Sequence, residues 1–111
     1  MIPQHRELAA GRWSRMGLCE QMANIGSEVS RALNWRNKGN RALCEKASLR
    51  TLELIDLSLE STATYPRLRE IARVREVFVD DFFGSNTYAS SERSWRRYFD
   101  AFAVARSLGR N

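Results

Sequence analysis

The sequence predicts an all-α protein, an antiparallel up-down-up-down four-helix bundle with a short N-terminal arm, and three observations carry that prediction. Apolar residues recur at spacings of three and four in four successive segments, the period of a helix with one buried face. Only short turn-forming stretches separate the segments, which favours antiparallel neighbours. Gly39 and Gly84 mark two of those stretches, and Pro66 opens the segment that follows the remaining one.

Residues 1–15 show no apolar period and are interrupted by Gly11, so they read as the arm, with Trp13 placed to tuck against the bundle formed by residues 16–111. The first helix is expected over 16–37. Leu18, Met22, Ile25, Val29, Ala32 and Leu33 fill one narrow arc of it, and Glu20, Asn24, Ser27 and Arg31 lie on other faces. Lys38, Gly39 and Asn40 end it, Gly39 being free to take positive φ and Asn40 being placed to cap the next helix. In that second helix, over 41–61, Leu43, Ala47, Thr51, Leu54 and Ile55 form the core arc, which Leu52 and Leu59 widen to about half the wheel. Leu49 stands outside that arc, among Glu53, Asp56 and Glu60. Leu49, Leu52 and Leu59 are therefore the expected interface, with a homodimer as the default because closed two-fold pairs are commonest.

The third helix, over 66–83, is the most apolar stretch, and Pro66 suits its first turn. Leu68, Ile71, Ala72, Phe78, Val79, Phe82 and Phe83 share one arc, opposite Arg69, Glu70, Arg73, Glu76, Asp80 and Asp81. Arg75 falls in the middle of the apolar arc, where a charge is costly unless it is met by an acid. Running the first and third helices in parallel brings Glu28 to within about one residue of the same height, which predicts a buried Glu28–Arg75 pair. After a turn at Gly84, Ser85 and Asn86, the fourth helix starts at Ser90 or Ser91 and ends before Gly109. It carries Trp95, Tyr98, Phe99, Phe102 and Ala105 inward and Arg93, Arg96, Arg97 and Asp100 outward.

The segments NIGSEVSRALNWRNKGN, RTLELIDLSLE and REVFVDDFFGSNTYASS resemble a group of small, uncharacterised bacterial four-helix proteins of about this length. The resembling residues are packing, cap and turn positions, so the resemblance implies a helical fold and no activity. In size and helix count the chain is also similar to the small four-helix proteins encoded in ribosomal RNA intervening sequences, a likeness of architecture alone.

Composition bounds the function. The formal net charge is +5 and sixteen of the eighteen basic residues are arginine, yet basic residues are spread evenly along the chain. No run approaches the roughly 18 apolar residues of a membrane span, and the first residues lack an apolar signal-peptide core, so the expected location is the cytoplasm, with no membrane contact. Cys19 and Cys44 fall about 20 Å apart along a helical hairpin. That exceeds the reach of a disulfide and predicts free thiols, as in a reducing compartment. A di-metal centre in a bundle core needs a Glu-x-x-His on each of two helices, and the single histidine is His5, in the arm. No metal, cofactor or catalytic set is therefore expected. Neither a glycine-rich phosphate loop nor the Arg-then-His pattern of small helical ribonucleases occurs.

Two readings of function stand out. The first is a non-enzymatic interaction protein that self-associates or docks on a protein partner. The alternative is an RNA-binding module whose site is a basic and aromatic cluster at one end of the bundle, formed by Trp35, Arg36, Lys38, Arg41, Tyr88, Arg93, Arg96 and Arg97. Arginines there would neutralise phosphates while aromatic rings stack on unpaired bases. A helical nuclease-like enzyme with a site of another kind is the remote third.

Overall fold

The computed structural model describes residues 11–110, and the regular structure among them is helical. A 3-10 turn at Trp13–Arg15 leads into α1 (Leu18–Asn37), α2 (Arg41–Ser61), α3 (Tyr65–Phe83) and α4 (Glu92–Ser107). His5 and the rest of the arm before Gly11 lie outside the described residues.

Local chemistry sets the helix ends. Gly39 takes φ +74 after α1, and the Asn40 side chain accepts the Leu43 amide at 3.0 Å to open α2. Ser91 and Ser94 form a reciprocal capping box at the start of α4, each hydroxyl accepting the other residue's amide. The connection before α4 is held by Asp80, whose carboxylate accepts the amides of Thr87 at 2.8 Å and Tyr88 at 2.9 Å.

The core is built from one arc of each helix. Met22, Ile25, Val29 and Leu33 of α1 meet Leu54 and Ile55 of α2, Ile71, Val74 and Phe78 of α3, and Trp95 and Phe99 of α4. Each large apolar side chain removed from water contributes about 1.5–3 kcal/mol, which offsets the entropy of ordering it. Trp13 seals one end: it is 1% exposed and its indole Nε1 donates to Ser58 Oγ at 2.9 Å. Gln21 Nε2 donates to the Trp13 carbonyl at 2.9 Å, so this buried side chain is paired as well.

α1 is the central element, packed closely along both α2 and α4, while α3 lies closest to α2. The approach of α4 depends on Gly26, where a built Cβ would lie 2.7 Å from Phe99 Cβ. Between α3 and α4 the backbones stay further apart, and side chains bridge them. Trp95 meets Phe78 edge-on with ring centroids 5.9 Å apart, and its Nε1 donates to Asp81 Oδ2 at 2.7 Å.

One expectation is corrected here. Arg75 pairs with Asp56 of α2 at 2.8 Å, and Glu28 pairs instead with Arg31 at 3.4 Å. The physical reason is a roll of α3. Its buried residues are Ile71, Val74 and Phe78, while Leu68, Ala72 and Phe83 are exposed, so the buried stripe is turned away from the arc that centred on Arg75. The roll carries Arg75 to the α2 boundary, where its side chain is 42% exposed and faces the nearest acid on the neighbouring helix. On the wide apolar face of α2, Leu52 and Leu59 are partly buried against the core, and Leu49 is also only partly exposed.

Candidate functional site

The roll of α3 and its separation from α4 leave a cleft of about 360 Å³ between the two helices, closed at one end by the loop between them. From α3 the lining residues are Glu70, Arg73, Val74 and Val77, a series at spacings of three and four that forms one helical stripe. From α4 come Ser94, Trp95 and Tyr98, and from the loop Tyr88, Ala89 and Ser90. The floor is apolar: Val74 and Trp95 are buried and Val77 is half-buried.

Two tyrosines bracket the mouth. The Tyr98 hydroxyl donates to Glu70 Oε1 and the Tyr88 hydroxyl donates to Glu76 Oε1. Each phenol thus spans the gap to a carboxylate of α3, with Arg73 between the two carboxylates along the helix. Both tyrosines are held neutral. Burial first, then the hydrogen bond and charge of Glu70, raise the Tyr98 pKa well above the ordinary phenol range. For Tyr88 the hydrogen bond to Glu76 leads, followed by that carboxylate's charge. The loop residue Ala89 holds φ +55, a left-handed conformation that costs a residue bearing Cβ about 1 kcal/mol or more. The Asp80 carboxylate and the bond from Asn86 Nδ2 to the Ser90 carbonyl, 2.9 Å, hold the loop in place.

Several residues of the basic end predicted from sequence are engaged within the chain. Arg36 donates to Asp81 Oδ1 at 2.9 Å and lies over the Phe82 ring at 4.3 Å. Lys38 covers Trp35 at 5.1 Å. Arg96 bonds Glu92, Ser30 Oγ at 2.7 Å and Asn34 Oδ1 at 3.0 Å, and so ties α4 to α1. The bonds from Asn37 and Arg96 also lower the Glu92 pKa. Tyr88 belongs to the cleft. Arg41, Arg93 and Arg97 are exposed. Arg41 lines a separate cavity of about 490 Å³ with Arg36, Cys44, Phe82 and Phe83. Cys19 and Cys44 are free thiols. Among the described residues, no three His, Cys, Asp or Glu side chains gather to hold a metal ion, and no helix is long and apolar enough to cross a membrane.

No family model, curated protein or solved structure matches the chain.

Sequence reasoning did not place the cleft, although one signal for it was present. Tyr98 lies on the inward arc of α4, a buried phenol requires a partner, and Glu70 is a carboxylate on the helix that α4 would neighbour.

Proposed function

We propose that the chain is a non-enzymatic interaction protein that docks a protein partner in the cleft between α3 and α4. The scaffold is read as an antiparallel up-down-up-down bundle. At one end Arg36 reaches Asp81 and Asn37 reaches Glu92, and at the other Trp13 reaches Ser58. These end-to-end bonds support that topology. The observation that carries the function is the cleft itself, whose apolar floor of Val74, Val77 and Trp95 lies beside Tyr88, which is 49% exposed. Concave apolar surface with a few polar groups around it is where proteins take ligands, and Tyr and Trp are the side chains that dominate such contacts. A second copy of the chain is one such partner.

A photo-cross-linking phenylalanine analogue placed at Tyr88 tests the reading in the living source cell. The expected result is an adduct of discrete mass that is lost when Val77→Arg fills the cleft and kept when Leu49→Arg changes the α2 surface. An adduct of twice the chain mass would identify self-association. Adducts indifferent to Val77→Arg would refute docking in the cleft.

The nucleic-acid reading draws on exposed Arg41, Arg93 and Arg97. It is the weaker one, because Arg36 and Arg96 already bond acidic side chains of the chain itself.

A further inference from the structure

We propose that the end of the molecule where α3 begins and α4 finishes is a docking surface for an anionic lipid bilayer. Tyr65, Leu68, Val104 and Leu108 would enter the interfacial layer, and Arg67, Arg69, Arg106 and Arg110 would meet the lipid headgroups. None of these residues lines the cleft, so the inference does not rest on docking there.

Helix directions bring the two termini to one end. Trp13 and Gln21, at the start of α1, bond Ser58 and Ser61, at the finish of α2, and α3 begins shortly after α2 stops. α4 runs against α1, from the Asn37–Glu92 bond past the contact of Gly26 with Phe99, so its last residues finish beside the start of α1.

Two kinds of side chain are gathered there. Tyr65, Leu68, Val104 and Leu108 are from 38% to 69% exposed, and among the described residues only Phe83 and Tyr88 are large apolar side chains exposed elsewhere. Such a concentration marks a contact surface, whereas single exposed apolar residues do not. Residues 65–69 and 101–110 also supply four arginines, all exposed, and no acidic side chain. None of the four forms an ion pair among the described residues. Arg69 lies over the Tyr65 ring at 5.9 Å, which leaves its charge without an acid. On the neighbouring elements, Glu20 and Glu60 are matched by Arg12 and Arg15, and Glu70 is bonded to Tyr98. Arg106 and Arg110 suit the negative end of α4. Arg67 and Arg69 instead crowd the positive end of α3, whose first turn has no acid. Helix stability gives no reason for that placement, and an anionic surface does.

The apolar residues select the lipid among anionic partners. Three of the four are aliphatic and cannot stack on unpaired bases as single-stranded nucleic acid requires. In the interfacial layer of a bilayer, apolar side chains enter the acyl boundary, tyrosine settles at headgroup level and long basic side chains reach the charges. A second copy of the chain would set arginines against arginines. No helix among the described residues can cross a membrane, but contact at the surface needs none; the proposal departs from the sequence expectation of no membrane contact on that ground.

Co-sedimentation of the full chain with vesicles tests the proposal, comparing phosphatidylcholine mixed with phosphatidylserine against phosphatidylcholine alone. The chain should bind the mixed vesicles, less so as salt is added, and leave the neutral ones. An arginine near such a surface is worth about fivefold in binding, so Arg67→Gln with Arg69→Gln should weaken it by about 25-fold. Arg41→Gln with Arg93→Gln removes the same charge from the opposite end and should change it by about twofold or less. Val104→Ser with Leu108→Ser should weaken it by about tenfold. All six positions are exposed, and circular dichroism verifies that each variant keeps its helices.

Equal binding to the two kinds of vesicle, or no binding to either, overturns the proposal. So do equal losses in the two arginine pairs, which would reduce the effect to net charge. If Val104→Ser with Leu108→Ser binds as the parent does, the lipid occupant falls as well, and displacement by polyglutamate or by single-stranded RNA then shows which polyanion takes its place.

Discussion

Gly26 shows how one missing side chain sets a helix spacing. A Cβ there would meet Phe99 Cβ at 2.7 Å and Phe99 Cγ at 2.8 Å, and neither is the free end of a flexible side chain. Alanine is favoured over glycine in a helix by about 1 kcal/mol, so without the clash Gly26→Ala would stabilise α1. Overpacking of this kind costs about 1–3 kcal/mol, and here it should win. Urea unfolding of Gly26→Ala should show a net loss, and a gain would mean that α4 does not sit this close. Tyr98 gives a second residue-scale prediction. Its folded pKa is raised above the ordinary value of 10.0, so the unfolded chain releases the phenolic proton first. The stability contributed by the neutral phenol is complete below about pH 10 and falls as the pH rises above it. Tyr98→Phe cannot ionise, so its stability should decline less steeply than that of the parent between about pH 10 and 11.5. Parallel alkaline slopes in denaturant titrations would contradict this.

The loop between α3 and α4 is an element with almost no apolar burial of its own, and Asp80 supplies its order. Its carboxylate accepts two loop amides, and its carbonyl accepts the amides of Gly84 and Asn86 at 3.2 and 2.9 Å. Asp80→Ala removes the carboxylate bonds, each worth about 1–3 kcal/mol to a charged acceptor. The amides of Thr87 and Tyr88 should lose hydrogen-exchange protection while α1 keeps its own; unchanged protection would place the loop's order elsewhere. Elements of this kind mark how far the sequence could be read. The helices and their caps were legible, because apolar period, Gly39, Asn40 and Ser91 are local signals, and the inward arcs of α1, α2 and α4 contain the buried apolar residues of those helices. The face of α3 was not legible. Its apolar residues cover more than half the helix, and the forces that select among them are tertiary: Asp56 draws Arg75 to α2, while Asp81 faces Trp95. The cleft was hidden for the same reason, since it exists only where α3 and α4 fail to close.

At the scale of the molecule, α3 is packed closely only on α2, and polar anchors join it to the other helices, Asp81 bonding two of them. Its carboxylate side chain is 5% exposed. It receives the Trp95 indole from α4 at 2.7 Å and the Arg36 guanidinium from α1 at 2.9 Å. One residue of α3 thus joins three helices, and its loss would leave a buried indole N–H and a partly exposed arginine without their acceptor. Breaking such a site by removing one partner costs about 3 kcal/mol or more, because the penalty of the stranded groups adds to the lost bonds. Asp81→Ala should therefore lower the unfolding free energy by about that amount. Arg36→Ala should cost about 1 kcal/mol or less, since its side chain is 37% exposed and can rehydrate. Placement of the loss matters as much as its size. Because α1 is packed on both sides and α3 closely only on α2, the variant should open first along α3, with the Tyr88 and Tyr98 bridges released. Native-state hydrogen exchange should then show α3 amides opening at a lower free energy than those of α1 and α2. A uniform drop across all four helices would instead make Asp81 an ordinary member of one cooperative core.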